Sequence, residues 1–219
     1  MLSPEEEYAE YYKKQDHLRN KVIKENQLPD KIVRVAGVDV AYNEESQRMI
    51  GSIVVLDAKT LAVVEQCWHE MEITFPYVPG LFSFREIPPL LEAYKKLETK
   101  PDIIVCDGQG IAHPKGVGMA SHLGVELNVP TIGCAKKRLI GKWDKKQLAS
   151  KRGSMQSLLL DNQEIGMVLR TQDDIKPVFV SIGHKVDLTT ATNWVLQLAP
   201  KYRLPETTRQ ADQLVNRLL

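Results

Sequence analysis

Cysteine is scarce: Cys67, Cys106 and Cys134 are the only thiols in 219 residues. They are far apart, odd in number and set in apolar runs. Neither a disulfide framework nor a zinc cage is encoded, and reduced core thiols in a reducing cytoplasm are expected. Long apolar runs are missing, since none approaches the ~18 residues that span a bilayer. The N-terminal MLSPEEEYAEYYKK is acidic and polar, unlike a secretion signal. An excess of charge is also missing. Lys and Arg number 29 against 28 Asp and Glu, a net +1, so any basic surface has to be local. Repeats, low-complexity tracts and linkers are absent, so one domain over residues 1–219 is the simplest partition. Phenylalanine is scarce too, yet three of its four copies fall in one stretch, ITFPYVPGLFSFRE (Ile73–Glu86). Pro76 and Pro79 forbid a strand or helix through its middle, leaving a stiff aromatic loop that ends in Arg85-Glu86.

Around that loop the pattern is regular. Ser3-Pro4-Glu5-Glu6 reads as a helix start with Ser3 as cap, and the helix is expected to run to about Asn26. KIVRVAGVDVAY, MIGSIVVLD and TLAVVEQCWHEM read as strands, the last two joined by a short hairpin at Asp57-Ala58-Lys59. SFREIPPLLEAYKKL and KGVGMASHLGVEL have helical spacing, and DIIVCDG and PTIGCA read as short buried strands. EIGMVLRT and PVFVSIG read as further strands. LTTATNWVLQL and TTRQADQLVNRLL read as helices, the second with a threonine cap. The order predicts an α/β fold: three antiparallel strands, then parallel strands, with flanking helices. Trp68, Trp143 and Trp194 read as packing residues.

Two acids stand out. Asp39 lies inside the first strand, where a carboxylate is costly unless it is paired or bound to a cation. Asp107 ends a different strand, in VCDGQG, a position that faces ligand crevices in open sheets. If those strands are parallel neighbours, the two carboxylates meet and raise each other's pKa unless a cation lies between them. Oxygen ligands without paired His or Cys favour Mg²⁺ or Mn²⁺ over zinc. Glu86 and Asp212 are further acids placed to approach the same point, a grouping suited to metal-assisted phosphodiester hydrolysis.

GQGIAHPKGVG (Gly108–Gly118) is rich in glycine, but no Gly-Lys-Ser/Thr follows and no dinucleotide fingerprint is present. Its glycines offer backbone N–H groups at close range, and His113 could donate to a phosphate or merely hold the loop. From Lys136 to Arg152 the chain carries Lys136, Lys137, Arg138, Lys142, Lys145, Lys146, Lys151 and Arg152 against Asp144, a run able to track a nucleic-acid backbone.

Taken together, VAGVDVAY, FPYVPGLFSFRE, VCDGQGIAHPKGVGMASHLG, TIGCAKKRL, PVFVSIGHKVDL and YRLPETTRQAD resemble the endonuclease V family of deoxyinosine-directed nucleases. The resemblance covers about residues 33 to 212, and it implies a ribonuclease H-like fold. It implies that Asp39 and Asp107 bind Mg²⁺, with Mn²⁺ as substitute, and that Glu86 and Asp212 complete the acidic site. Lys136 resembles the lysine that stabilises the phosphate or orients the water. The loop Tyr77-Val78-Pro79-Gly80 resembles a wedge that enters the duplex at the lesion, with Leu81 beside the base. Gly110, Ile111, His113, Gly118 and Leu139 are expected around the base or phosphate, and His184 in a supporting contact. The implied partner is DNA containing deoxyinosine, cut at the second phosphodiester 3′ to the lesion by a monomeric protein. RNA containing inosine is an alternative substrate, and a non-catalytic lesion-binding module is an alternative function.

Overall fold

The computed structural model describes residues 4–219; the proposed cap Ser3 lies outside them. The chain opens with helices α1 (Pro4–Glu7) and α2 (Ala9–Lys21). The expected helix to Asn26 stops early for a tertiary reason. Residues after Lys21 pair their backbone with a distant turn, Lys185 N–H donating to Ile23 O and Gln27 N–H to Lys185 O.

Strands β1 (Arg34–Asn43), β2 (Arg48–Asp57) and β3 (Val63–Glu72) form the expected antiparallel meander. The β2–β3 connection is longer than a two-residue turn. Asp57 N–H reaches Ala62 O, and the Asp57 carboxylate accepts from the Lys59 and Thr60 amides. Helix α3 (Phe82–Lys95) passes through both Pro88 and Pro89, and its flank packs so closely on β2 that a Cβ at Gly51 would lie 2.8 Å from Pro89. There follow β4 (Ile103–Cys106), α4 (Met119–Leu127) and β5 (Thr131–Ala135), with β1, β4 and β5 parallel.

Beyond β5 come β6 (Met155–Leu160), β7 (Gln163–Leu169), β8 (Val178–His184), α5 (Leu188–Leu198) and α6 (Glu206–Leu218). All eight strands join one sheet in the order β3-β2-β1-β4-β5-β8-β7-β6. Strand β6 was not anticipated. Asp161 and Asn162, both at positive φ, make the tight turn that pairs it with β7, and that Asp-Asn pair is the signal for it. The cap of α6 is Pro205 rather than a threonine; Thr207 and Thr208 lie buried in its first turn.

The mixed sheet with its antiparallel meander and parallel centre is the expected ribonuclease H-like arrangement. One face carries α3 and α4 over Ala36, Val38, Ile53 and Ile104. The other carries α5 and α6 over Val35, Val54, Val105 and Val180. Helix α6 lies nearly on the backbone of β1: a Cβ at Gly37 would fall 2.0 Å from Thr207 O. Ser52 Oγ also donates to Ala211 O at 3.1 Å. That docking fixes where Asp212, the next residue, projects.

Candidate active site and nucleic-acid interface

Alternation along β1 sends Val38 towards α3 and Asp39 towards α6. Parallel pairing sets Val38 opposite Cys106, so Asp39 and Asp107 leave adjacent strands at neighbouring positions. Glu86 arrives from the opposite layer on the second turn of α3 and is 9% exposed. Asp212 projects from α6, solvent-exposed. Lys136 follows β5 directly, and its Nζ lies 2.5 Å from Asp107 Oδ2.

The electrostatics bind these residues into one cluster. Burial, then the negative charges of Asp107 and Asp212, push the Asp39 carboxyl up to about 6. Burial, together with Asp39 and Asp107, pushes Glu86 up to about 7, against the opposing hydrogen bond from Tyr42. Burial works against the Lys136 ammonium, but Asp107 beside it, with Asp212 and Asp39, raises its pKa. The cluster is thus short of positive charge, and its donors are carboxylate oxygens, the set suited to a hard divalent cation. Among the described residues no three His, Cys, Asp or Glu side chains close into a ready-made cage. A magnesium-type ion does not need one, since it takes one or two carboxylates and fills its shell with water and phosphate oxygens.

Tyr42, near the end of β1, was not singled out from the sequence. Its hydroxyl donates to Glu86 Oε1 at 2.9 Å, and its ring lies under the Arg85 guanidinium at 4.5 Å. Arg85 in turn pairs with Glu44 at 3.2 Å. A tyrosine in a strand is ordinary sheet composition, so the sequence carries no signal of this role.

A cavity of about 430 Å³ opens beside the acids, with Glu86 and Asp107 on its wall. Tyr77, Gly80 and Phe82 line one side; Gln109, His113, Gly118 and Leu139 line others. Burial holds the His113 imidazole neutral, its pKa lowered to about 4. Its Nδ1 accepts from the Lys115 amide at 3.2 Å, which leaves Nε2 as the donor.

Several expected contacts are placed elsewhere. In the proline loop only the tip is free: Tyr77 is 64% exposed and Pro79 is exposed, while Val78 and Leu81 are buried with Phe75 against Tyr8, Tyr11 and Tyr12. Leu81 therefore does not reach a base; Phe82, the first residue of α3, lines the cavity instead. Gly110 and Ile111 serve the scaffold. Gly110 N–H donates to Ser181 Oγ and Ile111 N–H to Ile182 O, and a Cβ at Gly110 would fall 1.9 Å from Ile182 O. His184 lies at the far end of β8, opposite Thr131, with Nδ1 accepting from Ile23 N–H at 3.1 Å. Lys136 follows the other end of β5, so His184 is not part of the cluster. Trp68, expected to pack, is 45% exposed on β3.

The family model of endonuclease V matches residues 16–213. The chain belongs to the endonuclease V family. It is therefore a nuclease, a hydrolase. Endonuclease V of Nostoc punctiforme is 48% identical over 202 residues, 92% of this chain and 90% of that protein. The crystal structure of endonuclease V from Streptomyces avermitilis superposes with a TM-score of 0.90 at 48% identity, covering 96% of this chain and 92% of that one. Ciona intestinalis endonuclease V, solved with a 24mer DNA containing an inosine followed by a ribo-adenosine, superposes at 0.86 with 29% identity, covering 97% and 98%.

Proposed function

We propose that this endonuclease V recognises deoxyinosine, the product of adenine deamination, and hydrolyses the second phosphodiester 3′ to it as a DNA-repair enzyme. The observation that carries the reading is that one cavity shares its wall with the acid cluster: Glu86 and Asp107 line a space closed by Tyr77, Phe82, His113 and Leu139. A flipped base in that cavity brings the phosphates just beyond it to the carboxylates. The inosine carried by the DNA of the Ciona complex supports the choice of base.

Asp39 and Asp107 would hold Mg²⁺, or Mn²⁺ in its place, with Glu86 and Asp212 completing the set; bound there, the ion lowers the pKa of water and neutralises phosphoryl charge. Lys136, held against Asp107, presents its ammonium to the scissile phosphate and offsets the charge that builds on it. Tyr42 keeps the Glu86 carboxylate in one orientation. His113 presents Nε2–H as a neutral donor to a strand phosphate. Tyr77 and Pro79 form the wedge, replacing the stacking lost when the base leaves the helix. An inosine pairs weakly, so its extrusion costs less than that of an ordinary base. Water adds to phosphorus, the P–O3′ bond breaks, and the products are a 3′-hydroxyl and a 5′-phosphate. Residues 1–219 act as one domain and as a monomer in this reading.

RNA is the second reading, favoured by the ribo-adenosine that follows the inosine in the Ciona complexes. The deciding experiment is cleavage of end-labelled DNA and RNA oligonucleotides, each with one inosine, with and without Mg²⁺. A Mg²⁺-dependent cut one nucleotide beyond the inosine is expected in DNA. Cutting only in RNA would replace the substrate, and binding without cutting in either would leave a lesion-binding module.

A further inference from the structure

A second cavity, about 470 Å³, lies across the Lys136 turn from the first, lined by Lys136, Lys137, Arg138, Trp143, Lys145 and Lys176. The turn itself is the partition: Leu139 faces the lesion cavity, whereas Lys136, Lys137 and Arg138 face the second. Arg203, at its base, is committed to structure. It donates to Lys136 O at 2.6 Å, to Pro177 O at 2.8 Å and to Lys176 O at 2.9 Å, clamping the two walls together. By contrast, among the described residues no ion pair engages Lys137, Lys145 or Lys176. Trp143, half-buried, stands edge to Phe179 with ring centroids 6.1 Å apart, which sets an indole surface among the free cations.

We infer that this groove binds the single strand on the 3′ side of the cut, with its phosphates on Lys137, Lys145 and Lys176 and a base against Trp143. Lysines with an aromatic surface form the chemistry that holds a single strand without regard to sequence. The placement gives direction. A strand leaving the lesion cavity passes the Asp107–Lys136 pair, and the first surface beyond that pair is the groove. The bulk charge of +1 conceals the site because these lysines are offset by acids elsewhere. The inference rests on the lesion reading for its direction, though not for its chemistry.

The test is equilibrium binding of the full chain, without divalent metal, to fluorescent DNA strands with the inosine fixed and either two or eight nucleotides beyond the cut. The longer strand is expected to bind on the order of tenfold tighter. Lys145→Glu/Lys176→Glu should abolish most of that gain and flatten the salt dependence by about 0.7 for each phosphate no longer neutralised. Trp143→Leu, which keeps an apolar filler, should lose part of the gain with an unchanged salt slope. Lys31→Glu/Lys59→Glu, the same charge change at the far end of the sheet, should keep the gain whole. Retention of the gain in the groove variant, or an equal loss in the far-end control, overturns the inference. Replacing inosine by adenine separates the two claims: equal binding of both bases defeats the lesion reading, while the tail-length gain still decides the groove.

Discussion

Lys136 Nζ rests 2.5 Å from Asp107 Oδ2, so the cation after β5 is held by the acid after β4, two neighbouring parallel strands. Side-by-side strand ends deliver this pair without any loop having to be ordered. On the proposed reading Lys136→Met should lower single-turnover cleavage by about a hundredfold or more. Binding of the inosine strand should change by far less. Equal losses in binding and in cleavage would make Lys136 a simple phosphate contact.

Asp39→Ala or Asp107→Ala should abolish cutting while a gel shift with the inosine strand persists. Full activity in either variant would end the assignment of the metal to the β1–β4 pair.

The raised carboxyls give a signed dependence on pH. Asp39 and Glu86 hold protons in the folded chain up to about 6 and about 7, above the values of free carboxyls. The native state therefore binds more protons than the unfolded state over roughly pH 4 to 7, and metal-free stability should fall as pH rises through that window. The denaturation midpoint in chelator should drop between about pH 4.5 and 7.5, and Asp39→Asn should shallow the drop. Mg²⁺ should stabilise the protein more at about pH 8 than at about pH 5, since it competes with those protons.

Tyr42→Phe removes the donor that opposes the rise in Glu86 pKa. Cleavage should weaken at neutral pH and recover at higher pH, shifting the acidic limb of the rate profile upwards. A uniform loss at every pH would mean that Tyr42 only packs.

Tyr77→Ala should cost discrimination between inosine and adenine with almost no stability, since the ring is 64% exposed. Leu81→Ala, four residues on and fully buried, should do the reverse, destabilising by about 2–5 kcal/mol. His184→Ala should leave cleavage intact and lower stability by about 1 kcal/mol, because Ile23 N–H is left without its acceptor.

Much of the fold was legible because it rests on local pattern. The three β-rich segments, the helical spacing after the proline loop and the two short apolar strands each announce themselves over a few residues. Asp39 was legible for a related reason: a carboxylate among valines in a strand is a local contradiction. Misreadings arose where distant chain intervened. Helix α2 ends at Lys21 because the chain beyond it pairs with Lys185, far along the sequence from Ile23. Val78 and Leu81 look like a loop tip, but aromatic rings from α1–α2 cover them. Gly110 looks like a phosphate cradle, but Ile182 O occupies the space.

The sequence by itself determined most of the element types, though not β6, together with the spacing of the acids, the family and a basic stretch, because each depends on residue chemistry and short-range periodicity. Tertiary structure decided which acids meet, since the parallel register of β1 and β4 places Asp39 beside Asp107 and the docking of α6 on Gly37 and Ser52 brings in Asp212. It also decided that the aromatic loop offers Tyr77 and Phe82 rather than Leu81. Alternation assigns a side chain to a face, but only packing between layers determines what that face meets.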